Sequence, residues 1–295
     1  LLLTGAGGFL GSVLLQMMNA GSFQVRALYR MLPTPRPPGD IEFLFGDLCD
    51  ESLCKQSCAG IDIIVHLAGQ AHVQSSKGSH IRNTYETSSN LVKAAVAQGV
   101  KKIIYISSTK ANYPLHSPYA EVKLATEQML LNLHHTGDIQ VVCLRPALVY
   151  GPGMRGNLAT LLKLLKCSTL PAFPASSIPL GMIGLEDCCK AIMLAQEQKG
   201  LAGFSWELND GHVHTLNLLV MQVREYLGLA PPWLHLPEVS VKLAAKLAEL
   251  SSPLIGTSIG MGTYRGLYKE PYKPDTRFAE LTGFKPQQTF HNQLS

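Results

Sequence analysis

The sequence lacks the features that mark several large classes of protein. Lys and Arg make up 25 of 295 residues without forming a dense run, and the formal net charge is +4, so we expect no nucleic-acid partner. No apolar stretch is long enough for a transmembrane helix, because Lys242 and Lys246 interrupt the segment 241–250, and we expect no membrane insertion. The chain also has no internal repeat and no low-complexity tract. It is therefore interpreted as an ordinary globular protein.

The cysteines form no regular framework. There are seven, an odd number, without a C-x-x-C repeat, so Cys54, Cys58, Cys188 and Cys189 are expected to be reduced residues on helices. Reduced thiols are typical of a cytoplasmic protein. No metal site is expected either, and the histidines are interpreted as core or surface residues: His66, His72, His134, His135, His212 and His214.

The beginning of the chain is its most informative stretch. Three leucines lead into Gly5, Gly8 and Gly11, and an apolar segment at helical spacing follows. A strand, a tight glycine turn and a helix in this order are the context of a phosphate-binding fingerprint, in which the helix N-terminus offers free N–H groups. The spacing is G-x-x-G-x-x-G rather than G-x-G-x-x-G, so a glycine-rich turn without a ligand is the alternative.

Each glycine has an expected role in this turn. Gly5 allows the sharp turn, Gly8 lets a pyrophosphate approach the backbone, and Gly11 lets the helix pack closely on the strand. Because the glycines occur where such a turn needs them and no basic leader precedes them, the apolar start is not interpreted as a signal peptide. The chain starts without Met inside its first predicted strand, so we expect a few residues to precede Leu1.

Predicted strands alternate with predicted helices through the first half of the chain, which favours an α/β fold with a doubly wound parallel sheet of the Rossmann type. After the N-terminal strand, further strands are expected at 24–29, 41–48, 61–69, 102–106 and 141–144. In such a sheet, ligands bind beyond the carboxyl ends of the strands. The candidates that follow strand ends are Gly5, Arg30, Asp47, Ala68, Ser108 and Pro146.

Two residues bear on the cofactor. An acidic residue at the end of the second strand would bind the adenosine ribose, but Arg30 stands there and can accommodate a 2′-phosphate, which favours NADP(H). The alternative is a solvated arginine that stacks on adenine. Asp47 follows the third strand and could accept a hydrogen bond from the adenine amino group, or it could cap the helix that starts near Asp50.

A possible proton acceptor lies further along the chain. Tyr119 and Lys123 are four residues apart, so on the predicted helix they share one face. The ammonium is expected to lower the pKa of the phenol towards neutrality, which makes the phenolate a usable base. Ser108 could hold the same substrate hydroxyl. A lone Y-x-x-x-K motif also occurs on ordinary helix faces, so the informative feature is its order after the glycine turn and Ser108.

The second half of the chain is less regular. Helices are expected at 157–165, 186–196, 216–227 and 239–250, a strand at 204–208, and a loop rich in Gly, Tyr and Lys at 256–274. The predicted domain organisation is a dinucleotide-binding domain over 1–153, to which 182–210 returns. A smaller, mostly helical substrate lid is expected to comprise 154–181 and 211–295.

The order of these motifs resembles the extended short-chain dehydrogenases/reductases, the NAD-dependent epimerase/dehydratase group. Residues 4–11 are similar to the family's T-G-x-x-G-F-L-G. The likeness is greatest to a bacterial nucleotide-sugar epimerase-like branch of surface-polysaccharide synthesis, through Ser107–Asn112 and Gly156-Asn157. Other landmarks occur in the family's order: Gly46-Asp47-Leu48, Val65-His66-Leu67-Ala68, Ser107-Ser108, Tyr119 with Lys123, and residues 145–153.

The resemblance implies a tightly held NAD(P), a UDP-sugar-type substrate and often a homodimer. It implies that Ser108, Tyr119 and Lys123 are catalytic. The expected cofactor contacts are Gly5, Gly8, Phe9, Leu10, Arg30, Asp47, Leu48, Ala68, Tyr119, Lys123, Pro146 and Val149. The expected substrate contacts are Ser108, Thr109, Tyr119, Asn157 and Arg265.

The sequence also departs from the family's pattern. Thr109 and Lys110 stand where the family's dehydratases carry Asp-Glu, so loss of water is not expected. Leu148 replaces an Asn that many members direct to the substrate diphosphate. Leu180 similarly replaces an Arg, so these two contacts to the diphosphate of a nucleotide sugar are not expected here. Asn157 and Arg265 could supply replacement contacts.

Three functional hypotheses follow. The first is an epimerase that inverts a sugar carbon, expected at C4, by passing hydride to NAD(P)+ and returning it to the other face. The second is an NADPH-dependent reductase of a keto sugar or another carbonyl. The third is a non-catalytic nucleotide-binding module, against which the intact set of Ser108, Tyr119 and Lys123 argues.

Overall fold

The computed structural model describes residues 1–20, 24–31, 33, 35–69, 79–154, 157–167, 172–255 and 261–293. Its centre is a seven-stranded sheet in which every neighbouring pair is parallel. The strands are β1 Leu2–Thr4, β2 Val25–Tyr29, β3 Ile41–Phe45, β4 Ile63–His66, β5 Lys102–Ile106, β6 Gln140–Pro146, β7 Leu148–Tyr150, β8 Ala172–Pro174, β9 Met182–Gly184, β10 Ser205–Leu208 and β11 Leu234–Leu236.

The strand order identifies the fold class. Across the sheet the order is β10-β6-β5-β4-β1-β2-β3. The chain therefore adds β2 and β3 on one side of β1 and then crosses over to add β4 and the later strands on the other side. Leu3 of β1 is in register with Ala27 of β2 on one side and with Val65 of β4 on the other. This is the doubly wound arrangement, in which ligands bind in the crevice beside the reversal point. The predicted Rossmann-type fold is therefore confirmed.

Helices lie between most of the successive strands. The ten helices of the described ranges are α1 Phe9–Asn19, α2 Glu51–Cys58, α3 Ser79–Ala97, α4 Pro118–His135, α5 Asn157–Cys167, α6 Leu185–Glu197, α7 Leu216–Tyr226, α8 Glu238–Ile255, α9 Met261–Tyr268 and α10 Arg277–Thr282. Short 3-10 turns occupy Thr109–Asn112, Pro114–His116 and His291–Gln293.

The two faces of the sheet bury alternate residues of the same strands. Leu3 of β1 belongs to the cluster under α1 and α6, whereas Leu2 belongs to the cluster under α2, α3 and α4. Successive side chains of a strand point to opposite faces, so a strand covered on both faces is apolar at nearly every position. The same alternation occurs at Ile64 and Val65, Ile103 and Ile104, and Val141 and Val142.

The predicted loop at 256–274 is wrong in part, because α9 lies within it. Tyr264 and Tyr268 are buried, four residues apart, with ring centroids separated by 5.3 Å. Both pack in one cluster with Ala245 of α8. The four-residue spacing of the two tyrosines in the sequence is therefore helical, but the glycines and lysines around them favoured the prediction of a loop. Residues 256–260 lie outside the described part of the chain.

A third apolar cluster lies beyond the sheet. It joins Tyr150 of β7, Met182 of β9, Leu158 of α5 and Leu216 of α7. β7 pairs with β9, and β8 pairs with β11, each in a separate two-stranded sheet. From the segment 182–210, β10 pairs with β6 at the edge of the large sheet. The division into a nucleotide domain and a lid stays a prediction.

Within the described ranges, no helix is both long enough and apolar enough to cross a lipid bilayer.

We expect the substitution Gly11→Ala to destabilise the fold. A methyl group at this position would overlap the carbonyl oxygen of Gly5 and would lie 3.0 Å from Cα of Ala6. Since both obstacles are backbone, α1 would have to move off β1, which costs roughly 1–3 kcal/mol of unfolding free energy. Urea unfolding would measure the change. The control is Gln16→Ala on the exposed side of α1. An unchanged stability of Gly11→Ala would contradict the close contact.

Candidate active site

The glycine turn between β1 and α1 forms one end of the candidate site. Gly5 has φ +73°, a left-handed conformation that favours glycine. Gly5 lies against the segment that follows β4, because a methyl group added to Gly5 would lie 2.8 Å from the backbone nitrogen of Ala68. Gly8 precedes α1, and no side chain caps the helix there. The first N–H groups of α1 are thus without a side-chain acceptor in the described structure.

This turn fits a dinucleotide pyrophosphate. Gly8 is exposed, and a methyl group added to it would lie 3.1 Å from the carbonyl oxygen of Gly5, so only glycine keeps the backbone bare there. Bare backbone at a helix N-terminus favours bound phosphate through N–H donors and the helix dipole. Phe9 and Leu10, the next two predicted contacts, are half-buried in the first turn of α1.

The residues predicted to meet the adenosine lie at the ends of β2 and β3. Arg30 is exposed and directly follows Tyr29, whose ring would lie 3.3 Å from a methyl group on Gly7. Asp47 is exposed, and its Oδ1 accepts a hydrogen bond from the Cys49 N–H at 2.9 Å. The alternative role of Asp47 as helix cap is wrong, because Asp50 caps α2. The roles of Arg30 and Asp47 towards a cofactor stay predictions.

The predicted catalytic residues lie together at the carboxyl ends of β4 and β5. The Lys123 ammonium is buried, donates to the Ile106 carbonyl at 2.7 Å and lies 5.9 Å from the Tyr119 ring centroid. A methyl group on Gly69 would lie 3.7 Å from the Lys123 Nζ. Since Gly69 follows Ala68, the glycine turn and Lys123 border the same crevice. The structure brings the two motifs together as the sequence predicts.

The Ser108 side chain completes this group. It accepts a hydrogen bond from the Lys110 N–H at 3.2 Å and so starts the 3-10 turn Thr109–Asn112. It also interacts with the phenol of Tyr119, which lowers the pKa of that phenol. Thr109 follows directly and is half-buried. The hydroxyl of Ser108 and the phenol of Tyr119 can therefore reach one substrate oxygen.

Burial, rather than the ammonium, dominates the acid–base properties of the site. Burial raises the pKa of Tyr119 to about 12, against the smaller lowering effect of Ser108. The expectation that Lys123 lowers the pKa of Tyr119 towards neutrality is wrong in this structure. Burial also lowers the pKa of Lys123 to about 8, opposed by the carboxylate of Glu127. Desolvation penalises the charged form of either group, so it shifts the acid and the base in opposite directions.

His66 contributes no charge to this crevice. It is buried at the end of β4, with Nδ1 2.7 Å from the Thr4 hydroxyl and Nε2 3.0 Å from the Ser88 hydroxyl. Burial and the nearby Lys123 ammonium lower the pKa of His66 to about 3. It is the hydrogen-bonded core residue that the sequence indicates. No group of three His, Cys, Asp or Glu side chains in the described ranges could hold a metal ion, and His72 lies outside those ranges.

A buried ion pair fixes the helix that carries Tyr119. Glu127 lies one turn after Lys123 and accepts from Nε of Arg145 at 2.9 Å and from the Ser205 hydroxyl at 3.0 Å. Arg145 also donates to Asn112 at 2.6 Å, in the 3-10 turn after Ser108. The network therefore ties α4, β6, β10 and the Ser108 turn together, and it sets where the phenol lies relative to Ser108.

A second network ties the C-terminal segment to the same turn. Glu270 is buried and accepts from the Lys110 ammonium at 2.8 Å and from Nδ1 of His116 at 2.8 Å. Arg265, a predicted substrate contact on α9, donates from Nη1 to the His116 carbonyl at 2.8 Å. The Tyr113 hydroxyl donates to the Pro271 carbonyl at 2.8 Å. Segment 265–271 thus lies against the turn that follows Ser108.

Sequence reasoning missed Glu127, Arg145, Glu270 and His116 as parts of the site. Glu127 carried a signal, because it is four residues after Lys123 and so extends the same helix face. No sequence pattern indicated the role of Glu270, because its partners lie more than 150 residues away in the chain.

The remaining predicted residues border the crevice less closely. Leu48 is buried in the core under α2, Pro146 is buried at the end of β6, and Val149 is half-buried in β7. Ala68 donates its N–H to the Thr4 hydroxyl at 3.3 Å. The side chain of Asn157, at the start of α5, lies outside the described residues.

Known proteins show the same architecture. A sequence profile described as the NAD dependent epimerase/dehydratase family matches residues 1–167. The UDP-glucose 4-epimerase of Vibrio cholerae is 27% identical, over 87% of this chain and 85% of that protein. The ceramide reductase of Caulobacter vibrioides is 26% identical, over 93% and 86%. The structure of MoeE5 in complex with UDP-glucose and NAD superposes with a TM-score of 0.74 at 21% identity, over 99% and 95%, which shows the fold.

We expect Lys123→Met to stabilise the protein at neutral pH. Burial lowers the pKa of Lys123 from 10.5 to about 8. Below pH 8 the folded chain carries the full penalty of a buried cation. Between pH 8 and 10.5 the folded chain loses this proton before the unfolded chain does, so the penalty shrinks. Met should therefore add roughly 1–3 kcal/mol at pH 7 and less at pH 10.

Urea unfolding at both pH values tests this expectation. The control is Lys93→Met, which removes an exposed ammonium on α3. If Lys123→Met destabilised the protein equally at pH 7 and pH 10, the hydrogen bond to Ile106 would outweigh desolvation and the account of the pKa would be wrong.

Proposed function

Because the chain belongs to the NAD-dependent epimerase/dehydratase family, an extended short-chain dehydrogenase/reductase family, we propose that it is an NAD(P)-dependent sugar epimerase. The observation that carries this proposal is the series of close approaches from the glycine turn through Ala68 and Gly69 to Lys123 and Tyr119. It brings the glycine turn, the proposed phosphate site, close to Tyr119, the proposed proton-transfer group.

The side chains have separate roles in this reaction. When bound, the oxidised dinucleotide supplies a hydride acceptor that carries a positive charge. The positive charge of the bound dinucleotide would favour the phenolate of Tyr119. In that form Tyr119 would take the proton of the substrate hydroxyl, and Ser108 would orient that hydroxyl by hydrogen bonding. Lys123 holds a positive charge in the crevice through the Ile106 carbonyl. For epimerisation the same phenol must return the proton after hydride has come back to the opposite face of the carbon.

Loss of water from the sugar is disfavoured by the residues after Ser108. Thr109 cannot act as a carboxylic acid, and the ammonium of Lys110 is paired with Glu270 at 2.8 Å. No acid–base pair is therefore available at these two positions. Among the activities of the family, this supports epimerisation or reduction over dehydration.

A nucleotide sugar is the proposed substrate class. The Vibrio cholerae relative, a UDP-glucose 4-epimerase, supports it. Arg265 on α9 is the proposed ligand for the diphosphate, because its guanidinium is half-buried beside the turn after Ser108. Leu148, which is 38% exposed, leaves an apolar surface where many members place an amide. We place the reaction in a reducing cytosol, where the described cysteines stay free thiols.

A carbonyl reductase is the second candidate, and one observation favours it. Burial raises the pKa of Tyr119 to about 12, so the phenol is protonated at neutral pH and suited to donate a proton to a carbonyl oxygen. The Caulobacter vibrioides relative is a ceramide reductase. Arg30 adds the proposed preference for the 2′-phosphate of NADPH.

We expect Tyr119→Phe to lower the turnover number at least roughly 100-fold, because the proton-transfer group is removed. UDP-glucose and UDP-N-acetylglucosamine are the probes, with product sugars separated by chromatography and nicotinamide followed by absorbance. The control is Tyr226→Phe, which removes an exposed phenol on α7. An epimerase forms product without net change in nicotinamide. Stoichiometric NADPH consumption would establish the reductase instead, and full activity of Tyr119→Phe would exclude both.

We expect Arg30→Ala to weaken NADPH binding roughly tenfold and to leave NADH binding unchanged, since the guanidinium would meet only the 2′-phosphate. Isothermal titration calorimetry measures both affinities. Arg36→Ala, at another exposed arginine after β2, is the matched control. An equal loss for the two cofactors would mean that Arg30 stacks on adenine and does not select between them.

A further inference from the structure

Helix α8 carries a row of large apolar side chains on its solvent side. Val239, Leu243 and Leu247 are 77%, 58% and 57% exposed. They are four residues apart and so lie along one side of the helix. The opposite side is the packed one, where Val241 and Ala245 join the cluster of α9. The helix is thus apolar on both sides, although its buried side alone is needed for folding.

The segment before α8 continues this exposed apolar character. Trp233 is 75% exposed, and Leu234 and Leu236 of β11 are 45% and 37% exposed. Several large apolar side chains exposed in succession along the chain point to an interaction site, whereas isolated exposed residues need no explanation. We define the α8 apolar surface as Trp233, Leu234, Leu236, Val239, Leu243 and Leu247.

The charges beside this surface are mainly positive. Lys242 and Lys246 are exposed and flank the row on one side of α8. Glu238 is the only acid between residues 233 and 248, and it is paired with the Lys269 ammonium at 2.9 Å. Glu249 follows, with a side chain outside the described residues. An apolar row edged by lysines, with a tryptophan nearby, is typical of helices that lie in a membrane interface.

The same surface adjoins the candidate active site. α8 packs on α9 through Ala245, Tyr264 and Tyr268. From α9, Arg265 donates to the carbonyl of His116 in the segment after Ser108. One helix therefore separates the α8 apolar surface from the groups that would surround a substrate.

We propose that the α8 apolar surface docks on an anionic phospholipid membrane. The aliphatic row and Trp233 enter the interface, and Lys242 and Lys246 contact lipid phosphates. Resting on the proposed function, this docking would hold the candidate active site, which lies one helix away from α8, next to the membrane surface. A second copy of the chain is a poorer occupant, because a two-fold interface brings the same patch of both copies together and so concentrates their lysines.

Vesicle co-sedimentation tests the proposal without any turnover assay. The probes are vesicles of phosphatidylcholine alone and of phosphatidylcholine with about one-third phosphatidylglycerol. The full chain is expected to bind the anionic vesicles more tightly. The double variant Leu243→Glu and Leu247→Glu is expected to lose at least roughly tenfold in partition coefficient, and Lys242→Gln with Lys246→Gln is expected to remove the preference for anionic lipid.

The matched control is Leu218→Glu with Met221→Glu, which places the same charges on the exposed side of α7, where the two residues are 48% and 52% exposed. It should bind vesicles as the native chain does. Circular dichroism checks that all variants fold. No sedimentation of the native chain with either vesicle would overturn the proposal, as would equal binding by the α8 and α7 glutamate variants.

Two further outcomes separate this proposal from its alternative and from the proposed function. If the α8 glutamate variant changed the molar mass in light scattering and vesicle binding stayed unaltered, the surface would be an interface between copies, and the membrane proposal would be wrong. Vesicle binding by Tyr119→Phe should equal that of the native chain. If the native chain bound vesicles but turned over neither nucleotide sugar nor carbonyl substrate, that result would count against the proposed reaction alone.

Discussion

The buried ammonium of Lys123 is the constraint on which the site depends. A cation taken out of water is unfavourable unless other groups replace the solvent. Here the Ile106 carbonyl accepts its hydrogen bond at 2.7 Å, and the face of the Tyr105 ring lies 4.8 Å away. Glu127, one turn along α4, adds a negative charge that raises the pKa of the lysine. Glu127 is itself buried and needs Arg145 as a partner. Because Arg145 lies on β6 and also contacts the turn after Ser108, the burial of Lys123 depends on contacts between α4, β6 and that turn.

The same loss of solvent defines the acid–base state of the crevice. It raises the pKa of Tyr119 to about 12 and lowers that of Lys123 to about 8. The phenol is therefore held as a proton donor, and the lysine can change its charge near physiological pH. A protonated phenol suits reduction of a carbonyl, which is both the proposed reductase reaction and the second half of an epimerisation. The opposite shifts of two neighbouring groups are typical of functional sites.

The C-terminal segment connects this crevice to the outer surface of the protein. Glu270 pairs with Lys110 and His116, so a movement of α9 would be transmitted to the turn that starts at Ser108. On its other side α9 packs against α8. A membrane docked on α8 would then lie one helix away from the turn after Ser108, and these contacts would set the orientation of the candidate site towards the lipid.

The sequence by itself determined the features that depend on local spacing. The positions of Gly5 and Gly11, the alternation of apolar strands with helices, and the shared helix face of Tyr119 and Lys123 were all readable, because each follows from the geometry of a few consecutive residues. Only the tertiary structure decided which groups lose their solvent and which distant residues compensate them. That is why the pKa of Tyr119 came out opposite to the expected direction and why Glu270 carried no signal. Desolvation and ion pairing depend on contacts between segments far apart in the chain, and no local pattern encodes them.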